Sequence, residues 1–98
     1  MGISWSHEAL ERLTEIEEFI ARDNPVRAFT FVDELVDHAE TALATNPYIG
    51  RMVPELARPE IRELVHRHYR IVYRVKEDCL EILTVFEGHR LLRVDEIG

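Results

Sequence analysis

The sequence predicts an α+β fold: a short N-terminal strand, an antiparallel hairpin of two helices, and an antiparallel β-meander (β-α-α-β-β-β) that the hairpin covers on one face. Three observations predict it. Apolar residues recur at helical spacing from Leu10 to Leu43, they alternate from Tyr69 to Val75, and the stretch between holds Pro47, Pro54 and Pro59. At 98 residues the chain reads as a single domain, 1–98. A domain of that size buries roughly 60 to 70% of the surface its unfolded chain exposes, enough for one modest core.

Ile3 to Trp5 reads as the first strand, and Ser6 stands where a helix N-cap belongs, with Glu8 near the positive end of the helix. Trp5 is positioned to staple onto Leu10. Leu10, Leu13, Ile16, Phe19 and Ile20 then repeat at helical spacing, and the helix ends near Arg22. In Asp23-Asn24-Pro25, Asn24 caps a second helix and Pro25 takes its first turn, where the missing N–H does no harm. Phe29, Val32, Leu35, Val36, Ala39, Ala42 and Leu43 carry that helix to about Ala44. A connection this short makes an antiparallel hairpin, with Phe19, Phe29 and Phe31 expected in its core.

Charge is unevenly placed. Residues 1–45 hold ten acidic and three basic side chains, residues 46–98 nine of each, so the net charge of −7 belongs to the helical half. From Arg58 to Lys76 six cations stand against Glu60 and Glu63, which makes a locally basic strip on an acidic body. Non-specific nucleic-acid binding rests on cations neutralising phosphates and is disfavoured here. Arginine pairs with carboxylates as readily as with phosphate, so the strip favours a protein partner. Cys79 is the lone cysteine, which excludes an internal disulfide; no apolar run reaches the ~18 residues of a membrane span, and a cytoplasmic protein is expected. The acidic residues lack metal-ligand spacing, and neither metal nor cofactor is expected.

Strands are expected from Ile61, with Glu77-Asp78 as a hairpin turn. Closing that turn with Lys76 opposite Cys79 pairs Val75 with Leu80, Tyr73 with Ile82, Ile71 with Thr84 and Tyr69 with Phe86 on the core face. The other face pairs Arg74 with Glu81, Val72 with Leu83, Arg70 with Val85 and His68 with Glu87. One helical hairpin covers one face only. The second face, Val72, Leu83 and Val85 rimmed by arginines, therefore reads as an interface for an external partner, the tail from Leu91 to Ile97 or a second copy being the alternative covers.

The element order, with Asn46-Pro47, Gly50-Arg51, Ile61-Arg62-Glu63-Leu64, Tyr69-Arg70-Ile71-Val72-Tyr73-Arg74-Val75 and Glu81-Ile82-Leu83 to Gly88-His89-Arg90, resembles the RelE/ParE superfamily of type II toxin–antitoxin toxins, and its ParE branch in particular. The resemblance covers nearly the whole chain. It implies a cognate antitoxin, ParD-like with a ribbon-helix-helix DNA-binding segment, so that DNA is met only through that partner. In the ParE branch it implies inhibition of DNA gyrase by binding. In the RelE branch it implies metal-independent cleavage of mRNA on the ribosome.

Metal-free RNA cleavage needs a base, an acid and a cation over the phosphorane. Glu63, His66, His68, Glu87, His89, Arg70 and Arg90 are candidate material, with Glu87, His89 and Arg90 the set such a nuclease would use. Many relatives carry His late in the last strand where this chain has Glu87, and the cation excess that holds RNA is missing. The binding inhibitor is therefore the favoured reading, with a non-toxic interaction module as a third possibility. Arg62, Arg70 and Arg74 are the expected polar anchors for the antitoxin, Val72, Leu83 and Val85 its apolar floor, and Arg90, Leu91, Leu92 and Arg93 the expected target contact.

Overall fold

The computed structural model describes residues 2–88. The elements run β1 (Gly2–Trp5), α1 (His7–Ala21), α2 (Pro25–Thr45), β2 (Arg51–Met52), β3 (Ile61–His66), β4 (Tyr69–Val75) and β5 (Cys79–Glu87). They build one mixed five-stranded sheet in the order β1-β5-β4-β3-β2. The expected meander is β3-β4-β5, antiparallel throughout. Two strands extend it: β1 pairs parallel with β5, and β2 is a two-residue strand inside the expected loop.

The caps lie where side-chain chemistry puts them. Ser6 Oγ accepts from the Ala9 N–H at 3.0 Å and donates to the Leu83 carbonyl at 2.8 Å, so one residue starts α1 and ties it to β5. Asn24 Oδ1 accepts from the Arg27 N–H at 3.0 Å, and Pro25 opens α2. Each such cap stabilises its helix by about 1 kcal/mol. Trp5 does not anchor the first turn; Leu10 is exposed, and the indole N–H donates to Glu40 of α2 at 3.0 Å.

The hairpin packs Leu13, Ile16, Phe31, Leu35, Ala39 and Leu43 onto Leu64, Ile71, Tyr73, Leu80, Ile82 and Val85 of the sheet. Of the three helical phenylalanines only Phe31 is core; Phe19 and Phe29 are 59% and 68% exposed. They occupy the helix flanks, beyond the stripe that touches the sheet.

The register holds as expected from Val75↔Leu80 to Tyr73↔Ile82 and then slips by one, to Val72↔Thr84, Ile71↔Val85, Arg70↔Phe86 and Tyr69↔Glu87. The bulge puts Val85 on the helix-covered face and gathers Leu83 and Phe86 with Val72 on the other. The run after Ile82 is apolar on both faces, so alternation carries no penalty against a slip there.

The second face is not open. The segment 53–60 crosses it as a strap, and Val53, Ile61, Val72, Leu83 and Phe86 form a second small core with Leu56 packed against it. The strap is held by the backbone: the Val53 N–H donates to the Ile61 carbonyl at 3.4 Å, the Val75 N–H to the Glu60 carbonyl at 2.8 Å, and Ala57 adopts a left-handed φ of 53° where it turns.

Candidate functional site

Beneath the strap lies a buried ion network. Arg70, 4% exposed, donates Nη1 and Nη2 to the two carboxylate oxygens of Glu55 at 2.8 Å each, and Nε to Glu63 at 2.6 Å. Glu63, 1% exposed, also accepts from Arg51 Nε at 2.6 Å. The guanidinium of Arg70 further lies over the Phe86 ring, 4.9 Å from its centroid. The bonds from Glu55, then Glu63, raise the Arg70 pKa above its ordinary value against the opposing effect of burial. Arg70 is therefore spent inside the fold, pinning the strap to the sheet.

The structure redistributes the other expected partner contacts. Val72 and Leu83 are buried under the strap, and Val85 lies on the opposite face, so the three do not form a common surface. Arg62 and Arg74 are half-buried at the rim. Arg62 donates Nη1 to the Gly50 carbonyl at 3.0 Å and Nε to the Pro59 carbonyl at 3.1 Å, and stacks on Tyr48 at 5.0 Å. Gly50 is required at this junction: a Cβ there would come within 2.5 Å of the Glu63 carbonyl and 2.7 Å of the Tyr73 hydroxyl.

A groove of about 280 Å³ opens at the other side of the sheet. Arg12, Glu15, Ile16 and Phe19 of α1 form one wall. Tyr69, Val85, Phe86 and Glu87 form the floor and the far wall. Two polar features point into use. Arg12 Nε is buried with no hydrogen-bond partner among the described residues, although its Nη2 reaches Glu15 at 2.7 Å. Moreover, β1 pairs only with Cys79 to Ile82, so among the described residues no strand continues beyond that point on the side of β5 away from β4. An apolar floor and a donor beside the end of β5 together suit an extended or amphipathic peptide. Sequence reasoning named Val85 and Glu87 but missed this groove, because Arg12 and Phe19 are 66 or more positions away from them in the chain. A register that ignores the bulge also turns Val85 away from α1.

Of the nuclease candidates, Glu87 lies in the groove wall opposite Tyr69, not His68, and burial followed by Glu87 raises the Tyr69 pKa. Glu63 and Arg70 are committed to each other, and His66 packs against α2. His89, Arg90, Leu91, Leu92 and Arg93 lie outside the described residues. Among the described residues no group of three or more His, Cys, Asp or Glu side chains is placed to hold a metal ion, and no helix is long and apolar enough to cross a membrane.

Residues 3–92 match the family model described as the ParE toxin of the type II toxin–antitoxin system parDE. The chain belongs to the ParE toxin family. It is 40% identical over 90 residues to the candidate toxin Y4kP of Sinorhizobium fredii, covering 90% of this chain and 88% of that protein. Its fold matches a chain from the chromosomal ParDE toxin–antitoxin system of P. aeruginosa with a TM-score of 0.74 at 23% identity, covering 89% of this chain and 95% of the other. As a ParE-type toxin of a type II system, the protein has an antitoxin as its implied partner. The helix hairpin over an antiparallel meander is then the family architecture, and the strap and the groove are the surfaces on which this ParE can be read further.

Proposed function

We propose that this ParE acts by binding and inhibiting DNA gyrase in the cytoplasm, and that a ParD-like ribbon-helix-helix antitoxin neutralises it by laying a segment into the groove between α1 and β5. The observation that carries the partner reading is the coincidence of Val85, Ile16 and Phe19 with a stretch of β5 that pairs with β4 but no longer with β1, and with an unsatisfied Arg12 donor. An antitoxin segment there covers apolar surface, adds a strand and offers Arg12 an acceptor. Arg62 and Arg74 remain rim contacts for a partner long enough to wrap the sheet, whereas Arg70, Val72 and Leu83 serve the strap. DNA is met through the antitoxin. Arg90, Leu91, Leu92 and Arg93 are proposed as the gyrase contact.

Inhibition by binding is supported over RNA cleavage by chemistry. The net charge of −7 disfavours a polyanion, and Arg70, in the central part of the basic strip, is engaged by Glu55 and Glu63. The test is induction of the toxin alone, with a supercoiling assay run beside an assay of mRNA integrity. Inhibited supercoiling with intact mRNA is expected; cut mRNA with normal supercoiling overturns the gyrase reading. For the groove, Phe19→Glu places a charge on an exposed wall residue and is expected to weaken antitoxin binding at least tenfold, about 1.4 kcal/mol, while growth arrest persists. Unchanged antitoxin affinity moves the partner elsewhere.

A further inference from the structure

Beside the aliphatic core, α2 meets the end of β3 through aromatic rings. His66, at the end of β3, packs against His38 of α2 with ring centroids 4.9 Å apart and planes tilted 36°, and against Phe31 at 6.0 Å. Phe31 continues the contact to Tyr69 of β4 at 5.5 Å. On its outer side β3 pairs with β2 only at Arg62 and Glu63, so at His66 among the described residues these rings, not another strand, hold the sheet edge. Nε2 of His66 is buried and has no hydrogen-bond partner among the described residues.

The charged groups around His66 make a poor home for a proton. Burial is the first cause that lowers its pKa, followed by His38 across the contact and Arg67 in the adjoining turn; Glu34, one helical turn before His38, acts the other way. Glu34 is itself engaged by Arg27 at 3.5 Å, and Arg27 lies over the Phe31 ring at 5.3 Å. A second positive imidazole 4.9 Å away therefore adds repulsion that one partly neutralised carboxylate does not remove.

We propose that the His38–His66 contact is an acid-sensitive catch between α2 and β3: the neutral His66 ring, packed on His38, helps hold α2 against the edge of the sheet, and protonation of His66 in mildly acid solution loosens that hold. The sign follows from linkage. In the unfolded or opened chain His66 takes its proton near the ordinary midpoint of about 6.5, whereas in the closed fold it does so only at lower pH. The catch is thus fully closed above about pH 7, and its contribution is lost as pH falls below about 6.5. A histidine kept neutral while closed and charged when open shifts the opening equilibrium by at most about tenfold at pH 5.5.

The experiment is native-state hydrogen exchange on the full chain between pH 7.5 and 5.5, corrected for intrinsic exchange and read at the amides of β3 and the middle of α2. The expected result is a several-fold loss of protection in the wild type that is abolished by His66→Phe, which keeps an aromatic ring in place, and reduced by His38→Gln. Equal loss in wild type and both variants overturns the catch. Because His66→Phe can fail to fold, ring-proton NMR titration gives an independent reading: the His66 midpoint is expected to rise in His38→Gln, and a midpoint that stays put overturns the coupling.

Discussion

The two faces of the sheet are held by opposite chemistry. The helix-covered face is a layer of apolar side chains with two buried phenols, whereas the strap-covered face sets a small apolar cluster beside an arginine shared by two carboxylates. Apolar packing is tolerant of direction and pays through area. A buried ion pair is directional, and its desolvation offsets much of its attraction, so its worth lies in fixing one geometry and not in raw stability. The helices could sit on their face in several ways before packing chooses one; the strap can satisfy Glu55, Glu63 and Arg70 together in only a few.

Breaking the network from one side gives the largest expected effect. Glu63→Ala takes one of its two carboxylate partners from Arg70 and removes the carboxylate bonded to Arg51, and is expected to cost about 3–5 kcal/mol in chemical denaturation. Replacing Glu63 and Arg70 together by Leu and Met is expected to recover most of that loss; a double variant as unstable as Glu63→Ala would mean that the network stabilises the fold outright. A matched pair of cavity variants ranks next. Leu35→Ala, on the sheet-facing side of α2 and fully buried, is expected to cost about 3–4 kcal/mol, and Leu83→Ala, under a strap that can settle into the space, about 2 kcal/mol. Equal values would show that the strap is as rigid as the helices.

The smallest effect in ordinary buffers separates the faces by pH. Burial raises the pKa of Tyr69, with Glu87 adding, and burial raises that of Tyr73 against the Gly50 N–H and Arg62. An unfolded phenol ionises near pH 10 and these two ionise later, so the stability they contribute is present below about pH 10 and lost as pH rises beyond it. Absorbance titration is expected to show Tyr69 and Tyr73 ionising above pH 10, and Tyr73→Phe to flatten the alkaline loss of stability. Ionisation of Tyr69 and Tyr73 near pH 10 in the folded protein would remove the distinction.

Much of the fold was legible in the chain. Ser6 and Asn24-Pro25 mark both helix starts, Glu77-Asp78 marks the turn, and the pairs next to that turn follow from alternation. The remainder depended on signals that local pattern does not carry. A run apolar on both sides hides its own bulge, so alternation alone puts Val85 on the face opposite the one it occupies. The strap looked like a proline-bounded loop, because Val53 and Leu56 are too few to display a period. Arg70 reads as a surface cation until Glu55 and Glu63 are brought to it from 15 and 7 positions away. Phe19 and Phe29 show the converse: helical spacing identifies a stripe but not its width. The candidate groove, assembled from α1 and the last strand, had no sequence signature at all.

Ser6 in the loop after β1 donates to the Leu83 carbonyl, 77 residues further along the chain. The first strand to leave the ribosome is therefore the last to find its neighbour, and at about 5–20 residues per second that interval is roughly 4–15 s. Until β5 emerges, α1 has no sheet beneath its apolar stripe and the groove has no floor. A nascent chain that lacks β5 cannot offer the groove to a partner, so the proposed docking of an antitoxin there has to wait until β5 has been made.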